Sequence, residues 1–162
     1  MLVPFADLDA ATHQALNALN NAHAVETSHL EPEAWARLGA TATLALAALD
    51  EGGPLGFLIA FDQAAEYDGT NFRWFVARYP RFAYVDRVVV DARARGQGVA
   101  RALYAALADH AAAAGLERLA CEVNRVPPNP GSDAFHARLG FEEAGRGHPA
   151  PGKEVRYLIR PL

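Results

Sequence analysis

The chain has 162 residues, 51% of them apolar, with 15 basic and 19 acidic side chains and a formal charge of −4. That is enough chain for one domain with a sizeable core, and mild acidity argues against nonspecific nucleic-acid binding, which needs a basic surface. Cys121 is the only cysteine, so no intrachain disulfide forms; no stretch approaches the roughly 18 apolar residues of a membrane span, and residues 1–5 are too short and uncharged for a signal peptide.

Residues 2–5 read as a short edge strand. From 8 to 24, Leu8, Ala11, Ala15, Leu16 and Leu19 recur at helical spacing, with Asp7 or Asp9 placed to cap them. A polar turn over 23–29 precedes a helix that starts near Pro32, a residue suited to a first turn, and carries Trp35 and Leu38. Residues 43–49 and 55–61 flank Asp50-Glu51-Gly52-Gly53-Pro54, which predicts a hairpin. The long connection over 62–81 is crowded with Tyr67, Phe72, Trp74, Phe75 and Tyr79, and Thr70 can cap a short helix over 71–77. Long connections in compact domains are often functional.

Residues 82–90 form a buried β-branched run. The helix after it spans 98–114, with Val99, Leu103, Leu107 and Ala111 on one face and Gly115 as its stop. A strand over 119–123 leads into an irregular stretch over 124–131 held by Pro127, Pro128 and Pro130. Ser132 then caps a short helix that Gly140 ends. A strand begins at Phe141, a loop covers 148–152, and a last strand runs over 154–160. Strand-helix-strand around Gly98 predicts a parallel pair, and the other neighbours read as hairpins.

The chemistry concentrates between the buried run and the long helix. The first amides of a helix lack intrahelical partners, and the helix dipole adds partial positive charge there. Gly96 and Gly98 let a ligand approach the backbone, and Arg95 and Arg101 add full charges. A diphosphate suits this geometry. Arg101 replaces the third glycine of a dinucleotide fingerprint, and no Gly-Lys-Ser/Thr follows as in a P-loop.

The segment Arg95-Gly96-Gln97-Gly98-Val99-Ala100, with Leu103 after it, resembles the Gln/Arg-x-x-Gly-x-Gly/Ala motif of the GNAT acyltransferases, the Gcn5-related N-acetyltransferases. Glu122-Val123-Asn124, Asn129, Phe135-His136 and Leu139-Gly140-Phe141 are similar to the second half of that pattern, and the resemblance covers residues 84–160. It implies one GNAT domain over 1–162, a mixed α/β fold with a mostly antiparallel central sheet and helices on both faces. It implies an acetyltransferase that moves the acetyl group of acetyl-CoA to a primary amine by direct attack. The diphosphate would rest on Arg95, Gly96, Gln97, Gly98, Val99, Ala100 and Arg101, and the pantetheine arm along Val88, Val89 and Val90, with Asn129 as a further cofactor contact.

Glu122 stands where related sequences carry a base. His136 stands where many carry a tyrosine that protonates the departing thiolate. Tyr67, Asp68 and Asn71 are expected to contact the amine, a carboxylate and aromatic faces both suiting a cation. Cys121 reads as core. The six histidines are scattered and no metal is expected. The partners expected are acetyl-CoA and an amine, with no nucleic acid and no membrane, in the cytoplasm; a homodimer is left open. A degenerate member that binds CoA without chemistry, as a sensor or interaction module, is the rival reading.

Overall fold

A computed structural model describes Met1–Leu162. Seven strands form one sheet: β1 (Leu2–Pro4), β2 (Leu44–Asp50), β3 (Gly53–Asp62), β4 (Phe82–Val90), β5 (Arg118–Val126), β6 (Glu142–Ala150) and β7 (Lys153–Pro161), in the order β1-β2-β3-β4-β5-β7-β6. Only β4 and β5 run parallel; every other pair is antiparallel. Six helices cover the sheet: α1 (Ala10–Ala22), α2 (Ala24–Thr27), α3 (Pro32–Thr41), α4 (Thr70–Val76), α5 (Val99–Ala113) and α6 (Pro130–Arg138). This is the expected mixed α/β architecture, and no helix is long and apolar enough to cross a membrane.

The two faces have separate cores. On one, Leu16 of α1, Trp35 of α3 and Phe72 and Phe75 of α4 pack on Phe57, Ile59, Phe61, Phe82 and Tyr84. On the other, Leu103, Leu107 and Ala111 of α5, Phe135 of α6 and Leu139 just after it pack on Leu58, Ala60, Ala83, Val85, Leu119 and Leu158. Adjacent strand residues thus fall into opposite clusters, the period-2 pattern of a sheet buried on both sides.

Local signals hold in detail at several places. Asp9, not Asp7, caps α1, its Oδ1 accepting from the Thr12 amide at 2.8 Å. Gly115 and Gly140 end their helices at φ +73 and +87. Four expectations shift. The polar turn over 23–29 contains α2. The irregular stretch begins later, because β5 continues to Val126 against β7. Asn129 caps α6 in place of Ser132, its Oδ1 accepting from the Ser132 amide at 3.2 Å, which starts the helix at Pro130. The loop over 148–152 is mostly strand, since β6 reaches Ala150 and pairs with Lys153 across Pro151-Gly152.

Candidate active site

The sheet opens where the site sits. β4 and β5 pair only over Phe82–Tyr84 and Arg118–Ala120. Beyond that, β4 follows β3 to Val90 while β5 follows β7 to Val126. The wedge between them widens into a cavity of about 500 Å³. The Asp91 amide donates to the Leu55 carbonyl at 2.8 Å on the β3 side. Alternation along the strand therefore turns the backbone groups of Val88 and Val90 toward the open slot.

At one end of the cavity stands the N-terminus of α5. The amides of Gly96, Gly98, Val99, Ala100 and Arg101 have no hydrogen-bond partner within the protein; the first α5 bond there runs from the Ala102 amide to the Gly98 carbonyl. Gly96 and Gly98 sit at φ +77 and +81, with nothing within 4 Å of an added Cβ. Arg95 and Ala100 line the cavity. The Gln97 side chain steadies the loop by donating to the Arg93 carbonyl at 2.8 Å, while Arg93 is spent on Asp50. Arg101 is exposed and does not line the cavity. Asn129 lines it, with its side-chain oxygen occupied as the α6 cap.

On the α1/α4 face lies Glu122. Tyr84 Oη donates to Glu122 Oε2 at 2.7 Å. Burial pushes the carboxyl up to about 7; the Tyr84 hydrogen bond opposes that rise, the nearby Asp86 adds to it, and Asn71 and Lys153 pull against it. A carboxyl near 7 is poised to take a proton at neutral pH. Asn71 in turn accepts from Tyr157 Oη at 2.9 Å, and Trp74 stacks on Tyr157 at 4.2 Å between centroids.

A break in strand register places the rest. Ile59 pairs with Arg87 and Ala60 with Val85, so Asp86 has no partner on β3. This bulge turns Asp86 and Arg87 to the same face as Tyr84. Arg87 Nε donates to Asp86 Oδ2 at 2.7 Å, and both side chains are under 8% exposed. Tyr67 Oη donates to Asp86 Oδ1 at 2.5 Å.

Four expected site residues need correction or refinement. Asp68 does not line the cavity: its side chain is 81% exposed and pairs with Arg73 at the surface, because the turn before α4 points it outward. Tyr67 and Asn71 do not line the cavity either; they touch its lining from behind, Tyr67 through Asp86 and Asn71 beside Glu122. His136 lines the cavity but is 4% exposed. Its Nδ1 lies 2.8 Å from the Ser132 carbonyl, which can only accept, so Nδ1 carries the proton. Nε2 then accepts from Tyr104 Oη at 2.7 Å. Burial lowers the ring's pKa, and neither nitrogen is left to donate into the cavity. Cys121 is buried and its thiol is pushed up by burial, as suits a core residue.

Tyr84, Asp86, Arg87, Tyr104 and Tyr157 escaped the sequence reading. The signal available was Asp86-Arg87, a charged pair inside an otherwise apolar strand. No group of three or more His, Cys, Asp or Glu is arranged to hold a metal ion.

Solved structures with the same fold cover nearly the whole chain. Ard1 from Thermoplasma volcanium superposes with a TM-score of 0.77 at 14% identity, over 100% of this chain and 97% of that one. A ribosomal-protein-alanine N-acetyltransferase from Brucella melitensis gives 0.72 at 22%, over 100% and 99%. A phosphinothricin acetyltransferase from Sinorhizobium meliloti, in complex with AcCoA, gives 0.71 at 22%, over 100% and 88%. No curated protein sequence matches the chain. The profile of the acetyltransferase (GNAT) family matches residues 10–141. By that match, the chain belongs to the GNAT acetyltransferase family.

Proposed function

We propose that the protein transfers the acetyl group of acetyl-CoA to a primary amine by direct attack. One observation carries this reading: the parting of β4 and β5 joins, in a single cavity, an anion-ready helix N-terminus and a carboxyl poised near neutral pH. The residues fit the cofactor. Five unpartnered amides, two glycines with open space and the Arg95 guanidinium suit a diphosphate. Val88 and Val90 offer a strand edge to an amide-bearing arm, with Val89 fixing the strand from the core.

Acetyl-CoA, when bound, would supply a thioester carbonyl: attack by the amine forms the C–N bond, the C–S bond breaks, and CoA leaves as a thiolate that takes up the further proton the nitrogen sheds. Glu122 accepts the ammonium proton that must leave before attack, directly or through a water, and Tyr84 holds that carboxyl in place. Tyr67 and Asn71 shape the acceptor side, and Asp68 takes no part. His136 acts through Tyr104: it fixes the hydroxyl of that residue and does not itself protonate the leaving sulfur.

The test follows release of free CoA thiol from acetyl-CoA in the presence of a peptide α-amine, a lysine side-chain amine and an amino sugar. Turnover with at least one is expected. Tight acetyl-CoA binding by calorimetry with no turnover on any amine would replace this reading by a CoA-binding module.

A further inference from the structure

The second helix lines the same cavity as Glu122, and it is held there under strain. His23, Glu26 and Thr27 line the cavity, yet α2 has only four residues, too few to stand without tertiary bonds. The chain leaves it through Ser28 at φ +77 and ψ 146, a region that glycine alone adopts readily and that persists only where surrounding contacts impose it.

Those contacts form one chain back to the sheet. Asn20, fully buried, donates from Nδ2 to the Ser28 carbonyl at 3.0 Å. Its Oδ1 accepts from Arg87 Nη1 at 3.0 Å. Arg87 binds Asp86, which accepts from Tyr67. Thr27 Oγ1 adds a tie to the Asn20 carbonyl at 3.1 Å. Arg87, Asp86 and Thr27 all border the cavity. A brace serving only stability could run anywhere in the core, whereas this one joins the bulge beside Glu122 to the α2 wall of the same cavity.

We infer that Asn20 and Arg87 are positioning residues that hold the strained α2 corner at a set distance from Glu122, and so determine how well the acceptor binds. The inference rests on the acceptor entering on the Glu122 side. Asn20→Asp keeps an oxygen for Arg87 but removes the donor to the Ser28 carbonyl and to Asn21 Oδ1. Released from that bond, the corner relaxes, and the acceptor loses its wall while the α5 end is untouched.

The experiment uses the full chain, acetyl-CoA and whichever of the three amines above turns over fastest. In N20D, hydrogen exchange at the amides of Glu26, Thr27 and Ser28 is expected to speed up at least tenfold. Acceptor KM is expected to rise about tenfold, with kcat at saturation and the Kd for CoA changed less than threefold. Adding Ser28→Gly removes the strain that the bond opposed, so N20D/S28G is expected to recover at least threefold of the lost KM. It is the variant to measure where N20D alone fails to fold. Unchanged exchange in N20D would show that the relay does not hold the corner. Faster exchange with unchanged KM, or a fall in kcat equal to the rise in KM, would overturn the positioning role. If the wild type turns over no amine, the acetyltransferase reading fails, and the exchange measurement still decides whether the corner is held.

Discussion

Replacing Glu122 by Gln separates catalysis from stability in opposite directions. The carboxyl stands at about 7 against an ordinary 4.5, chiefly because of burial. The folded state therefore holds its proton more tightly than the unfolded one. Between about pH 4.5 and 7 the unfolded chain releases that proton first, so stability falls with rising pH and stays lower above 7. At about 1.36 kcal/mol per pH unit the charged form costs about 3 kcal/mol, less to the extent that the cavity admits water. Gln keeps the shape and an oxygen to accept from Tyr84, but never ionises. E122Q is expected to melt several degrees above wild type at pH 8, since about 1 kcal/mol shifts Tm by about 2–4 °C in a chain of this size. At pH 4.5 the gain should vanish. Turnover should move the other way, with kcat down by about 10²–10⁴-fold. In wild type, kcat/KM for the amine should climb up to tenfold per pH unit below pH 7 and level off above it; in E122Q that break near 7 should be gone, the climb continuing to the ionisation of the amine itself. The assays are thermal melts at the two pH values and initial rates from pH 5.5 to 9. Normal turnover with the break near pH 7 intact would refute the base assignment. An unchanged Tm at pH 8 would refute the buried-charge argument.

Three further outcomes follow from the geometry. Gly98→Asp sets a carboxylate against the unpartnered amides at a position with open space for the side chain; it should fold with a loss of about 1 kcal/mol for the left-handed residue and bind CoA at least tenfold more weakly by calorimetry. Asp68→Asn should leave the acceptor KM within about twofold of wild type, because an exposed surface pair contributes about 0–1 kcal/mol and lies outside the cavity; a KM rise above tenfold would return Asp68 to the site. Gly145→Ala would place a Cβ 2.5 Å from Trp74 Cζ2, so the Trp74–Tyr157 stack must shift; a destabilisation of about 1–3 kcal/mol in urea melts is expected, and an unchanged midpoint would show that the ring yields freely.

Much of the fold was legible because its signals are local. The apolar run before Gly96, the two glycines, the long periodic helix and its Gly115 stop lie within a few turns of chain, and each encodes its own geometry. The Gly-Gly hairpin and the parallel pair around α5 followed likewise. Elements at the margins shifted where a partner decided them: β5 runs on to Val126 because β7 is there to pair with it, a fact no window of residues 119–131 contains.

The candidate site divides in the same way. Arg95, Gly96, Gly98 and Glu122 could be named from spacing and resemblance, since the α5 end of the cavity is built from consecutive residues and Glu122 follows a short ordered motif. Asp86 and Arg87 could not. Strand alternation gives adjacent residues opposite faces, and only the unpaired position at Asp86 turns both toward the cavity. His136 was visible as a cavity residue, but its proton is assigned by the Ser132 carbonyl and by Tyr104, 32 residues away in sequence. The α2 wall of the cavity is tied to the sheet through Asn20 and Arg87, 67 residues apart. Burial and long-range hydrogen bonding set those roles, and they exist only once α1, the sheet and α6 have packed together.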